Sequence, residues 1–450
     1  MNSSHPRTRF APLQLPFAIF LCLVFSGASP AARAQTADFN RKNGVAILNT
    51  IKREIQKNYY DPTFRGVDLD KFFEPIEAKI MQASSIGEVL GIIAQGLMRF
   101  EDSHTFLIPP MSATQVEHGW KMQMYGDDCF VVAVKPGSDA EAQGLRPGDR
   151  VLSVNGMQPT RRNIWKLYYH YYVLMAAKRL QLSVETPEGK QREVTVAAKV
   201  TERKRILDLT GAGDGTDINY VIREAETEAY MGRHRYIEVG DDAAVIWRMT
   251  AFDLTDADID KLVGKARKRK ALVLDLRGNS GGNVSTLKRL VGNLFDRDVK
   301  VADMKGRKEL KPMTAKSRGD QVFKGQLVVL VDSESGSAAE VLARVVQLEK
   351  RGTVIGDRTA GAVMQSRAYQ YKSGLGMGFV YGVSITDADL IMADGKSLEH
   401  TGVTPDELVL PTAKDLAAGR DPVLTRAGAL VGLRIDPEKA GALFPYEWRK

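Results

Sequence analysis

Ser337 opens the run Ser337-Ala-Ala-Glu340, followed by Val341, Leu342, Val345 and Val346 at helical spacing. A serine with glutamate three residues later is a capping box, so a helix N-cap is one reading of it. The other is a nucleophile. A serine at a strand-to-helix turn projects its hydroxyl at the core's edge, where amides of the first helical turn can stabilise an oxyanion. The small Ala338 and Ala339 leave room there for a substrate backbone. Gly281-Gly282 is similarly open: a tight turn, or a place where a scissile carbonyl lies against a backbone amide. It has neither the lysine of a phosphate loop nor the spacing of a dinucleotide fingerprint. The six histidines are His5, His104, His118, His170, His234 and His400. None pairs with another at metal-ligand spacing, and Cys129 has no partner motif, so neither a metal nor another cofactor is expected.

The elements that must hold these residues follow from periodicity. Residues 40–100 read as helical, with Val45, Leu48, Ile51 and Ile55 on one face, then helices near Phe72–Met81 and Ile86–Phe100. This helical unit ends at Asp102-Ser103-His104-Thr105. Strand patterns follow at Cys129–Val134, Arg150–Asn155, Leu180–Glu185 and Glu193–Val200, with an apolar, aromatic helix over Ile164–Ala177. Residues 201–235 are polar and glycine-rich and read as loops with a linking hairpin. Beyond them, Ala271–Leu276 and Leu327–Val331 are continuous apolar strands, each ending in one of the special loops. Such strands, alternating with helices, predict an α/β core covered on both faces. Active sites in these cores gather at the carboxyl ends of the strands, where both loops sit.

Composition narrows the function classes. Hydrophobic residues are 44% and charged residues 26% of the chain, which excludes general disorder and a multi-span membrane protein. Residues 1–34 read as a secretory signal: Arg7 and Arg9, an apolar run over Phe17–Phe25, and a cleavage site after Ala34. The run is short for a bilayer span, which favours cleavage over the alternative of an uncleaved anchor, and no second long apolar stretch exists. Without Arg7, Arg9 and Arg33 the formal charge of +8 falls to 8 − 3 = +5, which says little about partners. The basic stretch Lys265–Lys270 lacks the interleaved aromatics of a strand-binding groove and reads as a solvated helix end, so no nucleic acid is expected. With Cys22 in the leader, Cys129 is left without a disulfide partner. A bacterial periplasmic or secreted location fits, with a peptide or protein as substrate.

Two resemblances sharpen this reading. Gly144-Leu-Arg-Pro-Gly-Asp-Arg-Val-Leu-Ser-Val-Asn-Gly156 resembles the signature of bacterial PDZ domains over residues 115–200, and implies capture of an extended peptide by strand addition. Gly119-Trp120-Lys121-Met122 stands where that family has an apolar, glycine-rich carboxylate loop, and Trp120 is read there as a substrate contact. Residues 236–412 resemble the catalytic domain of C-terminal processing serine peptidases, through LVLDLRGNSGGN, LVVLVDSESGSAAEVLARVVQ with GTVIGDRTAG, and SLEHTGVTPDELV. The resemblance implies a crotonase-like α/β core with an N-terminal helical unit and an inserted PDZ domain. It divides the chain into 1–34, 35–114, 115–200, 201–412 and a helical tail over 413–450. It implies Ser337 as nucleophile, Gly282 and Ala338 as oxyanion amides and Gly281 as a substrate contact. One departure stands out: Ala362 occupies the position of the lysine base of the processing branch. Asp102-Ser103-His104 resembles instead the Ser-His pair of the tricorn-type branch, which implies His104 as base, Ser103 as its orienting partner and Glu399 as the supporting carboxylate. The alternative is a peptide-binding pseudopeptidase that lost catalysis with the lysine.

Overall fold

The computed structural model describes residues 30–110, 114–175, 177–202, 234–240, 243–373 and 379–448. Residues 1–29 of the expected leader and most of the expected 201–235 linker lie outside the described residues. No helix among the described residues is long and apolar enough to cross a membrane.

Three helices, Pro30–Asn58, Leu69–Ile80 and Ile86–Met98, form the front of the chain. Asp68 and Ser85 cap the second and third by accepting backbone N–H bonds, which sets where each begins. Their apolar faces meet around Ile51, Ile55, Phe73, Ile93 and Leu97, and this core runs on into Leu107, Val383 and Ile385 of a β-sheet. Strand β1 (Phe106–Ile108) therefore ties the helices to the sheet. β2 (Thr114–Glu117) then leads into a five-stranded antiparallel domain of β3 (Trp120–Tyr125), β4 (Asp128–Val134), β5 (Arg150–Val154), β6 (Arg179–Glu185) and β7 (Gln191–Ala197). Its return strand, β8 (Lys199–Glu202), pairs with β2, so the domain enters and leaves on one two-stranded stalk.

The remainder of the chain builds two sheets. β9 (Arg235–Val239), β10 (Ala244–Arg248) and β11 (Ala271–Asp275) belong to one. β12 (Val299–Gly306) and β13 (Met313–Ala315) belong to the other. β14 (Gln326–Val331) and β15 (Thr353–Gly356) return to the first, β16 (Met364–Ser373) and β17 (Phe379–Ile391) to the second, and β18 (Glu407–Leu408) closes the first. The first sheet runs β18-β15-β14-β11-β10-β9 and is parallel except for β9. Its two faces carry separate cores, as continuous apolar strands require. Val245, Trp247, Leu272 and Val329 face the helices Val284–Leu294 and Ala338–Leu348. Ile246, Val273, Val328 and Ile355 face the C-terminal helix Pro422–Leu430 through Val423, Leu424 and Ala427. In the second sheet β17 is central, pairing with β1, β12 and β16.

Candidate active site

The loop after β14 brings Ser337 to the carboxyl end of the parallel sheet. Asp332 organises that loop by accepting from the N–H of Glu334 and of Gly278, each at 3.0 Å. Ser335 donates to the Leu276 carbonyl at 2.8 Å, joining the loop to the end of β11. Ser337 itself has φ 51° and ψ −118°, a region that L side chains rarely adopt, at the residue before the helix Ala338–Leu348. Two acceptors hold it there. The Ser337 N–H donates to the Ala362 carbonyl at 2.9 Å and to the Glu340 carboxylate at 3.0 Å.

The glycine pair is shaped around this serine. Gly281 has φ 101°, and a β-carbon on it would lie 2.6 Å from the Ser337 β-carbon. Gly282 has φ 142°, and its β-carbon would lie 2.5 Å from the Phe252 carbonyl oxygen. Only glycine lets both chains pass so closely. The fully buried Asn279 fixes the turn by accepting from the Gly281 N–H and donating to the Met249 carbonyl, both at 2.8 Å. Among the described residues, neither the Gly282 nor the Ala338 N–H has a hydrogen-bond partner. Both residues line one cavity of about 270 Å³ together with Ser337 and His104. Its other walls are apolar at Val284, Leu287, Met313, Val341 and Leu390 and polar at Ser280, Gln365 and Ser366.

His104 reaches the cavity from the turn between the third helix and β1. Asp102, 4% exposed, anchors that turn. It accepts from the Tyr59 hydroxyl at 2.8 Å, the Thr386 hydroxyl at 2.5 Å and the His104 N–H at 3.0 Å. The Tyr59 phenol is pushed far above its ordinary pKa by burial, and then by the neighbouring Asp102 charge, so it serves as a donor. Beside this anchor, Ser103 Oγ lies 2.7 Å from His104 Nδ1 and 2.8 Å from Glu399 Oε2. Glu399 is 8% exposed at its side chain and also accepts from the N–H of Ser103 and of Val363, both at 2.9 Å.

Proton counting fixes the histidine's tautomer. An ionised carboxylate only accepts, so the single Ser103 hydroxyl proton goes to Glu399. Ser103 Oγ must then accept from His104 Nδ1–H, which leaves Nε2 unprotonated and basic. Burial holds the His104 pKa below the ordinary histidine value, while Glu399 and Asp102 pull the other way. The ring is thus neutral at neutral pH. The arrangement can take a proton from a hydroxyl in the cavity and return it to a leaving group.

Ser337, His104, Ser103, Glu399, Gly282 and Ala338 therefore converge on one cavity and its rear wall. Gly281 and Trp120, both expected to touch substrate, do not line it. Gly281 stands behind Ser337 as the close-approach turn. Trp120 is 4% exposed and packs in the core of the five-stranded domain with Met122, Leu145 and Val151. Ala362 lies against the Ser337 turn, and no lysine lines the cavity among the described residues.

Sequence reasoning missed two sets of residues. Glu340 was legible only as half of a capping box, yet it is fully buried and accepts four hydrogen bonds. The second set docks β3 onto the loop that leads to Ser337. Lys121 pairs with Glu334 at 2.6 Å, Gln123 donates to Asp332 at 2.6 Å, and Ser333 Oγ donates to the Met124 carbonyl at 2.6 Å. Arg161 pairs with Asp357 alongside, and Gly126 N–H donates to the same carboxylate at 2.9 Å. Nothing in local spacing marks these contacts, because each joins segments about 200 residues apart.

Comparison with known proteins places this geometry. Residues 244–409 match the profile of peptidase family S41, and residues 130–164 that of a PDZ domain. The chain is 24% identical over 363 residues to a tail-specific protease of Haemophilus influenzae, covering 75% of this chain and 49% of that protein. It is 25% identical over 399 residues to a putative tricorn protease homolog 2 of Streptomyces coelicolor, covering 83% and 31%. It is 24% identical over 359 residues to the carboxy-terminal processing protease CtpA of Bacillus subtilis, covering 80% and 67%. The chain thus spans about half or less of the first two relatives. Its fold is shared with mature CPAF in complex with lactacystin, at TM-score 0.62 and 16% identity, over 84% of this chain and 96% of that one. Residues 244–409 are thus similar to peptidase family S41 and residues 130–164 to a PDZ domain, on an α/β fold shared with CPAF.

Proposed function

We propose that this S41- and PDZ-containing chain is an exported serine endopeptidase that cleaves extended or C-terminal segments of proteins through a Ser337 acyl-enzyme. The observation that carries the reading is the Glu399–Ser103–His104 hydrogen-bonded series ending in the cavity that Ser337 lines. His104 Nε2 takes the Ser337 proton as Oγ attacks the peptide carbonyl carbon. The carbonyl oxygen, now an oxyanion, receives the two unpaired N–H groups of Gly282 and Ala338. Protonated His104 gives its proton to the departing amine, and the C–N bond breaks. A water then attacks the ester, His104 takes its proton, and Ser337 Oγ leaves with that proton restored. Val284, Leu287, Met313, Val341 and Leu390 on the cavity wall suit an apolar side chain next to the scissile bond.

The competing reading, a peptide-binding pseudopeptidase, has Ala362 in its favour. A base supplied from the front of the chain answers that objection, since a serine needs an adjacent base and not a lysine in particular. The test is hydrolysis of a quenched-fluorescence peptide with leucine or valine before the cleavable bond. Turnover is expected for the purified protein and none for Ser337→Ala. Equal turnover by both proteins, or none by either, would overturn the proposal.

A further inference from the structure

Glu340 sits on the first turn of the helix Ala338–Leu348 with a relative exposure of 0%. Both of its oxygens are fully used. Oε1 accepts from Thr359 Oγ1 at 2.5 Å and from the Gly361 N–H at 2.8 Å. Oε2 accepts from the N–H of Ser337 and of Ala362, both at 3.0 Å. Among the described residues Glu340 makes no salt bridge, and the groups facing it are neutral donors. Thr359 is itself fixed, its hydroxyl also accepting from the Val403 N–H at 2.6 Å.

The donors define what the carboxylate holds. Ser337 N–H is the amide of the residue at φ 51°. Gly361 and Ala362 form the turn whose carbonyl, at Ala362, accepts from Ser337 in return. The next residue, Val363, gives its N–H to Glu399. One buried charge thus pins the nucleophile's backbone and, one residue beyond the same turn, the seat of the carboxylate behind His104. Four donors suit an ionised carboxylate, which offers about four lone-pair sites. A protonated carboxyl carries a hydrogen toward a position that a donor already occupies.

Accepting the Ser337–His104 reading above, on which this step rests, we infer that ionised Glu340 is a positioning residue for that reaction. Its protonation loosens the Ser337 turn and the Ala362 turn together, so activity requires a deprotonated Glu340 as well as a neutral His104. Burial pushes the Glu340 carboxyl up to about 7, with its four hydrogen bonds drawing it down. The His104 pKa, by contrast, is held below the ordinary histidine value. Both groups must lose a proton for activity, so both contribute as pH falls, Glu340 first.

The experiment is the pH profile of kcat/KM from pH 5 to 9 with the quenched peptide, for the full protein and two variants. The wild-type acid limb is expected to bend twice, with the upper bend near pH 7. Glu340→Gln keeps the shape, removes the charge and turns an amide toward the donors. It is expected to lose at least tenfold in kcat/KM at pH 8 and to lack the upper bend. Thr359→Ala removes one donor and so raises the carboxyl's pKa, moving the upper bend to higher pH while the enzyme stays folded by circular dichroism. A Glu340→Gln profile superimposable on wild type, or an upper bend unmoved in a folded Thr359→Ala, overturns the inference. Ser337→Ala separates the two levels: turnover surviving in that variant defeats the serine-peptidase reading itself. Turnover lost in Ser337→Ala, with unaltered pH profiles in the other two, defeats only the role of Glu340.

Discussion

Ser103 has one hydroxyl proton and two neighbours that could take it. Because Glu399 is a carboxylate, the proton goes there and His104 is left with its basic nitrogen free. Glu399→Gln removes that compulsion: the amide can donate to Ser103 Oγ, whose proton can then turn toward His104 Nδ1 and favour the wrong tautomer. We expect kcat to fall by about 10- to 100-fold, a fraction of the 10²–10⁴ that a general base supplies, with KM nearly unchanged. A peptide assay of the variant that matches wild type in kcat would remove Glu399 from the relay. At this scale the sequence was informative where neighbours in the chain stand together in the structure, as with Asp102-Ser103-His104 and Ser337-Ala338. It misled at Trp120. Trp120 stands at the carboxylate-loop position and reads as a substrate contact, whereas the alternation of β3 puts Trp120, Met122 and Met124 together on the buried face. Glu340 shows the converse: its spacing was visible, but the burial that makes it more than a cap depends on the turn 359–362.

At the level of elements, β3 stands at the edge of the PDZ sheet, where strand addition would occur. That edge is already engaged. The Met122 N–H donates to the Tyr168 hydroxyl at 3.3 Å, and the same hydroxyl donates to the Met122 carbonyl at 2.5 Å. Tyr168 closes the helix Ile164–Tyr168, so a side chain stands in for one residue of a peptide strand. Removing the hydroxyl with Tyr168→Phe frees both backbone groups. We expect an extended peptide to bind more tightly by about fivefold, which is one net hydrogen bond's worth of about 1 kcal/mol no longer displaced. Fluorescence anisotropy measures it, and unchanged or weaker binding would argue against strand addition at β3. The parallel strands were legible because burial on both faces writes itself as unbroken apolar runs. The sheet around β17 was not, since that strand mixes buried Ser384 and Thr386 with Val383 and Ile385 and follows neither simple alternation nor a continuous run.

On the scale of the whole molecule, the proposed base His104 and the proposed nucleophile Ser337 come from distant parts of the chain. What unites them is the second sheet: β17 carries Thr386, which bonds Asp102, and pairs with β1 immediately after His104. The helical front therefore supplies His104 to the cavity that Ser337 lines. The PDZ domain adds a second brace through Lys121, Gln123 and Arg161 on the loops that flank Ser337. The spatial claim that His104 serves Ser337 is tested most directly by a serine-directed phosphonate, followed by intact mass. Wild-type protein should acquire one adduct on Ser337, and His104→Ala should acquire it at least about 100-fold more slowly, in line with loss of a general base. Labelling of Ser337 at the same rate in both proteins would contradict the account.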